Sequence, residues 1–157
     1  MYTIGILESG PTLSGFLARC MPRLEGVRLL PSNQWAKAPD LLVVSPDLQE
    51  PYTAPPSCRA LLVPGRLAPM AADLSAGWAV SYGNSPKDSL TLSSLGERDI
   101  CLALQREVVT LGGERLDQQE FLLPRAGHTS PFHVLACAGI QLLLGVPPEE
   151  VEVGPKA

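Results

Sequence analysis

Four residues of this sequence have the types and positions that could bind a ligand: Glu8, Ser9, Gly10 and His128. Glu8 directly follows the apolar run at residues 2–7, and open α/β sheets bind their ligands where such strands end. A lone carboxylate holds Mg²⁺ poorly without phosphates or a second oxygen ligand, so it could equally be solvated or cap the next helix. The turn after it could offer backbone amides to an anion, or simply connect the strand to a helix.

The two histidines, His128 and His133, are five residues apart, which is not the i, i+4 spacing of a helical metal pair. We expect His128, in a turn, to be a ligand-binding group. We expect His133 to pack or hydrogen-bond near a helix start, with a functional role as the alternative. No metal site, no cofactor and no complete catalytic motif is predicted.

Composition narrows the class of protein. With 157 residues the chain is predicted to form a single α/β domain over residues 1–150, followed by a flexible tail at 151–157. A net charge of −4 and a pI near 5.1 predict no nucleic-acid partner. No apolar run reaches the ~20 residues of a membrane span and no signal-peptide pattern is present, so we expect no membrane association and a cytoplasmic location.

The cysteines are far apart in the sequence and form no CxxC pair. They are Cys20, Cys58, Cys101 and Cys137. Each has apolar neighbours, which predicts buried, reduced thiols rather than a zinc site or an assignable nucleophile.

The first half of the chain alternates apolar runs with helix or loop signals, which predicts a parallel sheet. Strands are expected at residues 2–7, 27–32, 40–46, 59–65 and 78–83. The first helix is expected to be capped by Thr12 or Ser14. A second, short helix is expected at 68–77, closed by Gly77.

In the second half, short runs joined by tight turns predict an antiparallel meander. Its strands are expected at residues 89–95, 99–105, 108–111 and 120–124. Residues 85–88 are expected to form a turn with solvated charges. An almost wholly apolar helix then begins after Ser130, with Pro131 at its first position, and stops at Gly145. The predicted fold is therefore α/β: a mainly parallel Rossmann-like sheet with helices plus a small antiparallel β-meander.

The segment GHTSPFHVLACAGIQLLLGVPPEEV resembles the end of the central, nucleotide-binding domain of Mur ligases, with its GxHNxxN turn, alanine-rich helix and "lGi-pe-i" exit. Four upstream segments are similar to that family in the same order. They are IGILESGPTLSGFLARC, DLLVVSP, ALLVPG and WAVSYGNSPKDSLTLSSL. The resemblance implies a Mur ligase central-domain fold, with Glu8 at the position of a glutamate that helps to hold magnesium.

Several positions depart from the Mur pattern. No GxxxxGK[ST] phosphate-binding loop occurs. Thr129, Ser130 and His133 replace the His and Asn residues of the turn, Pro46 replaces an asparagine, and Gly65-Arg66 replaces an Asp-Asp pair. The resemblance thus implies a truncated relative that lacks the P-loop and the C-terminal ligase domain. The missing P-loop favours a protein without enzymatic activity and leaves an enzyme as the alternative.

Three functional hypotheses follow. The first is a non-catalytic Mur ligase-like protein that acts as a binding or assembly partner, with a homodimer or protein partner covering an exposed sheet edge. The second is a small-molecule binder for a nucleotide or another anion, with Glu8, Ser9 and Gly10 at the carboxyl edge of the sheet; half of a split ligase is a variant. The third is an enzyme with unrelated chemistry in the same crevice.

Overall fold

A computed structural model describes residues 2–30, 35, 37–125 and 130–154. The elements in chain order are β1 (Tyr2–Leu7), α1 (Thr12–Cys20), β2 (Val27–Leu30), β3 (Leu41–Val44), β4 (Ser57–Pro64), a 3-10 helix (Gly65–Asp73), β5 (Ser75–Gly83), β6 (Leu90–Leu95), β7 (Asp99–Leu104), β8 (Val108–Val109), β9 (Arg115–Leu116), β10 (Gln119–Pro124), α2 (Pro131–Leu143) and a short 3-10 turn (Pro148–Glu150). The α/β class and the main strands of the sequence prediction are confirmed.

One mixed sheet of eight strands organises the molecule, in the order β10-β7-β6-β5-β4-β3-β1-β2. The pairs from β2 through β6 are parallel, and β7 and β10 are antiparallel to their neighbours. The segment β2-β1-β3-β4-β5 has one of the two common strand orders of doubly wound sheets. In this order the chain changes direction across the sheet between β1 and β3, so the carboxyl ends of these two strands form a topological switch point.

The antiparallel strands differ from the prediction of a separate meander. β6, β7 and β10 continue the main sheet, because the start of β6 pairs with the end of β5 through Tyr82–Leu90 and Gly83–Thr91. Among the strands of the described residues, β8 and the unpredicted β9 form a separate two-stranded sheet.

The two faces of the sheet are covered differently. Both α-helices pack on one face, where α2 contributes an unbroken buried run from Val134 to Leu143. The other face is covered by the loop after β3 and by the 3-10 helix, through Leu48 and Met70. The almost wholly apolar helix that the sequence predicts is therefore covered on more than one side, and its small residues at 136, 138 and 139 are all buried.

The prediction of a short helix over 68–77 that ends at Gly77 is wrong in its bounds and in the role of Gly77. The structure has a 3-10 helix over Gly65–Asp73, and Gly77 lies inside β5 rather than at a helix end. A Cβ at Gly77 would lie 2.6 Å from the backbone oxygen of Arg59. Glycine is present there because two neighbouring strands approach closely, a cause that the local sequence does not show.

The core extends beyond the predicted domain end at residue 150. Val151 and Val153 are buried, and the backbone N–H of Gly154 donates to the carbonyl of Cys20 at 3.0 Å. The side chain of Gln141, fully buried in α2, donates to the carbonyl of Glu152 and accepts from its N–H. Residues 155–157 lie outside the described part of the chain.

The cysteines are free thiols, and three of them are buried as predicted. Cys101, on β7, is half-buried. In the described segments, no helix is long and apolar enough to cross a membrane.

Candidate functional site

The parallel strands bring their carboxyl ends to one edge of the sheet. Glu8 follows β1, Pro46 and Asp47 follow β3, Gly65 follows β4, and Asn84 follows β5. This is the edge at which doubly wound sheets bind ligands. The sequence-predicted residues Glu8, Ser9 and Gly10 do lie there, at the switch point between β1 and β3, whereas His128 lies outside the described residues.

Glu8 caps the helix that follows it. Its carboxylate accepts a hydrogen bond from the backbone N–H of Ser14 at 3.0 Å and a second from the hydroxyl of Ser14. The N-cap position itself is Pro11, which has no side-chain acceptor, so the predicted caps Thr12 and Ser14 are wrong. The carboxylate satisfies an otherwise unpaired N–H of the first helical turn. This agrees with the alternative prediction that Glu8 caps the next helix.

Ser9 joins two loops of the carboxyl edge. Its hydroxyl accepts from the N–H of Gln49 at 2.7 Å and donates to the carbonyl of the same residue at 3.1 Å. The carbonyl of Gly10 accepts from the N–H of Thr12 at 2.8 Å. The side chains of Glu8 and Ser9 are thus engaged in holding α1 and the loop after β3.

A cleft of about 330 Å³ lies next to these residues along the same edge, at the ends of β3, β4 and β5 and the start of α2. This volume falls in the range of small-molecule sites. Its lining residues are Pro46, Pro64, Gly65, Arg66, Tyr82, Gly83, Asn84, Ser85, Lys87, Asp88 and Phe132. Of the sequence-predicted site residues that the structure describes, Glu8, Ser9 and Gly10, none lines it.

Two basic side chains stand at the cleft. The guanidinium of Arg66 donates through Nη2 to the backbone carbonyls of Pro46 and Leu48, which fixes it across the loop between β3 and β4. Lys87 is exposed, and its ammonium group forms no ion pair with any described residue. Together they give the cleft the cationic groups that bind carboxylate or phosphate oxygens.

The turn between β5 and β6 is held in one conformation by its own polar groups. The N–H of Ser85 donates to Oδ2 of Asp88 at 3.1 Å, and the N–H of Asp88 donates to the carbonyl of Ser85 at 3.0 Å. From β7's end, the Gln105 amide donates to the carbonyls of Ser85 and Asp88 at 3.1 and 2.9 Å. The prediction of a turn with solvated charges at residues 85–88 is therefore wrong for one of the charges, because Asp88 is only 4% exposed.

The floor of the cleft is closed by Tyr82. Its ring is fully buried and its hydroxyl donates to the carbonyl of Val44. Burial, and the nearby carboxylate of Asp47, raise the pKa of the Tyr82 phenol, so it stays protonated. Tyr82 is consequently a hydrogen-bond donor to the protein rather than an ionisable group of the site.

The start of α2 lines the cleft through Phe132. Ser130 and Pro131 occupy the predicted N-cap and first helical positions, although the Ser130 side chain makes no capping hydrogen bond. Nε2 of His133 lies 3.1 Å from Oδ2 of Asp47, and its ring packs against Phe16 with centroids 5.4 Å apart. The prediction that His133 packs and hydrogen-bonds near the helix start is confirmed, and the Asp47–His133 pair joins α2 to the loop after β3.

No group of three or more His, Cys, Asp or Glu side chains in the described segments could hold a metal ion. No protein-family model matches this chain, and no curated protein matches it either. The resemblance to the Mur ligase central domain therefore stays a prediction.

Arg66, Lys87 and Asp88 are members of one site that was not predicted from the sequence. Gly65 directly follows β4 and Gly83 ends β5, and each is followed within five residues by a charged side chain, but this local pattern does not show that the two strands become neighbours. Glycines at strand ends indicate a close approach of another group to the backbone.

Proposed function

We propose that this protein is a non-catalytic binding protein that holds a small anionic molecule in the cleft at the carboxyl ends of β3, β4 and β5. The observation that carries the proposal is the position of Arg66 and Lys87 at a cleft of about 330 Å³ on the ligand-binding edge of a doubly wound sheet. Nucleotides and other phosphate-bearing molecules have the size and charge that this cleft accepts. The proposal includes no reaction.

Two further features support an anionic ligand. The cleft wall includes Phe132 in the first turn of α2, where the helix dipole favours negative charge. The loops that carry the cationic groups are already fixed, since Arg66 bonds two carbonyls and Gln105 bonds two more. A preorganised site loses less conformational entropy on binding.

The relation to Mur ligases belongs to the same proposal. A Mur-like central domain that lacks the P-loop would retain the crevice at the carboxyl edge of its sheet, and the sequence contains no P-loop motif. Such a relative would bind a ligand without hydrolysing it.

A thermal-shift titration with pyrophosphate, ADP and ATP, each with and without Mg²⁺, tests the proposal. A ligand that binds only the folded protein must raise its melting temperature. We expect a rise for the wild type that is reduced in Lys87→Ala and retained in Arg98→Ala, a matched loss of an exposed cation distant from the cleft. Equal shifts in both variants, or no shift with any probe, would refute the anion site.

A second candidate is assembly through the sheet edge, with a second copy of the chain as the partner. β10 ends the strand order, so one of its edges pairs with no described strand, and Leu122 on it is 65% exposed. An unpaired strand edge is a template for pairing with another chain. Sedimentation velocity over a concentration series should show a dimer that Leu122→Lys weakens; a monomer at every concentration would eliminate this candidate.

A further inference from the structure

The carboxylate of Asp88 is the buried charge of the cleft. Asp88 lines the cleft although only 4% of the residue is exposed. Its carboxylate is wedged between the ends of β4 and β5, where a Cβ on Gly65 or Gly83 would come within 2.3 and 2.5 Å of its oxygens. The absence of side chains at Gly65, just after β4, and at Gly83, the last residue of β5, therefore provides the space that this carboxylate occupies.

This carboxylate has little compensation within the protein. Oδ2 accepts one hydrogen bond, from the N–H of Ser85, and Asp88 forms no ion pair with a described residue. Oδ1 accepts no hydrogen bond from the described residues. Among the described residues, every fully buried side-chain oxygen or nitrogen has a hydrogen-bond partner. Because Oδ1 has no such partner, it must be accessible to solvent. Oδ1 is thus left available at the cleft.

A charge in such a position is costly unless an opposite charge meets it. A hydroxyl group of a ligand would supply one hydrogen bond, whereas an ammonium group would supply both the donor and the missing positive charge. Lys87 and Arg66 can bind an anionic group of the ligand at the same cleft. The lining therefore presents one negative and two positive side chains to a single ligand.

We propose that the cleft takes a zwitterionic small molecule, with the ammonium group against Asp88 and the anionic group against Lys87 and Arg66. The inference rests on the proposed function and narrows its ligand class to amino-acid-like or amino-phosphate compounds. Asp88 is the residue that selects the amine, and the basic pair is the part of the site that binds any anion.

Three isosteric probes separate the two parts of the site. O-phosphoserine, 3-phosphoglycerate and 3-phosphonooxypropionate carry the same carboxylate and phosphate, and differ only in an ammonium, hydroxyl or hydrogen at one carbon. Their affinities are measured by calorimetry on the wild type, on Asp88→Asn and on Asp117→Asn, a matched neutralisation of an exposed aspartate. Asparagine at position 88 retains an oxygen that can accept from Ser85.

We expect the wild type and Asp117→Asn to bind O-phosphoserine at least about tenfold more tightly than the other two probes. Asp88→Asn should lose that preference and bind all three equally, while melting at or above the wild-type temperature because an uncompensated charge is removed. A merely structural role for Asp88 would instead lower the melting temperature and weaken all three probes alike, which would overturn the inference.

Two other results are also decisive. Equal binding of the three probes to the wild type would overturn the inference and leave the anion site intact. A preference for O-phosphoserine that survives in Asp88→Asn would have the same consequence. Absence of binding by all three would overturn the inference as well; if pyrophosphate also fails to bind, the proposed function fails with it.

Discussion

At the scale of single residues, side chains of one type behave differently according to burial. Glu8 is a partly exposed carboxylate that caps a helix, and Asp88 is a buried one that faces a cleft. The cysteines show the same contrast. Burial raises the pKa of Cys58 from 9.0 to about 11, against a backbone hydrogen bond from Leu42, and that of Cys137 to about 12, against a hydrogen bond from Gln141.

These shifts predict selective thiol chemistry. The thiolate is the nucleophile, so at about pH 8 the raised pKa values make Cys58 and Cys137 unreactive toward iodoacetamide in the folded protein. We expect Cys101, which is half-buried, to be modified first, and all four thiols to react after denaturation with guanidinium chloride. Mass spectrometry of timed digests measures this. Modification of Cys58 or Cys137 as fast as Cys101 would contradict the assigned burial.

At the scale of elements, strand identity could be predicted from local pattern, but the roles of glycines could not. β1, β3 and β4 are apolar runs that local sequence specifies. Gly77 looks like a helix stop in sequence, yet it allows β5 to pass close to the carbonyl of Arg59 in β4. That carbonyl belongs to another strand, so no local signal contains the information.

The close approach predicts the cost of a methyl group at this position. Gly77→Ala places Cβ 2.6 Å from a backbone oxygen that cannot move without breaking the β4–β5 pairing. We expect a loss of about 1–3 kcal/mol in the free energy of unfolding, measured by urea denaturation. Gly10→Ala is the control, because a Cβ there meets no atom within 4 Å. Equal stability of the two variants would show that β4 and β5 are not this close.

At the scale of the whole molecule, the site depends on the order of the strands. The sequence predicts a site at the carboxyl edge of the sheet, and the described residues Glu8, Ser9 and Gly10 lie on that edge. The cleft itself lies at β3, β4 and β5, because their ends and α2 leave a space that only the three-dimensional packing creates.

Asp88 shows why the rest of the candidate site could not be predicted from the sequence. The residue is hydrophilic and lies in a turn, so local rules place it in solvent. Its burial depends on Gly65, which directly follows β4, and on Gly83, which ends β5, and these two strands become neighbours only in the folded sheet. The attachment of β6 and β7 to the same sheet likewise follows from strand pairing, with β6 parallel to β5 and β7 antiparallel to β6, which sequence periodicity does not report.

The most direct test of the central claim is an amide chemical-shift map of the ¹⁵N-labelled protein titrated with ADP. We expect the largest perturbations at Gly65, Arg66 and the amides of residues 83–85, 87 and 88, with little change at β10. Perturbations centred on Ser9 and Gly10 would place the site at the switch point between β1 and β3 instead. Such a result, or a spectrum without any perturbation, would contradict the assignment of the cleft as the ligand site.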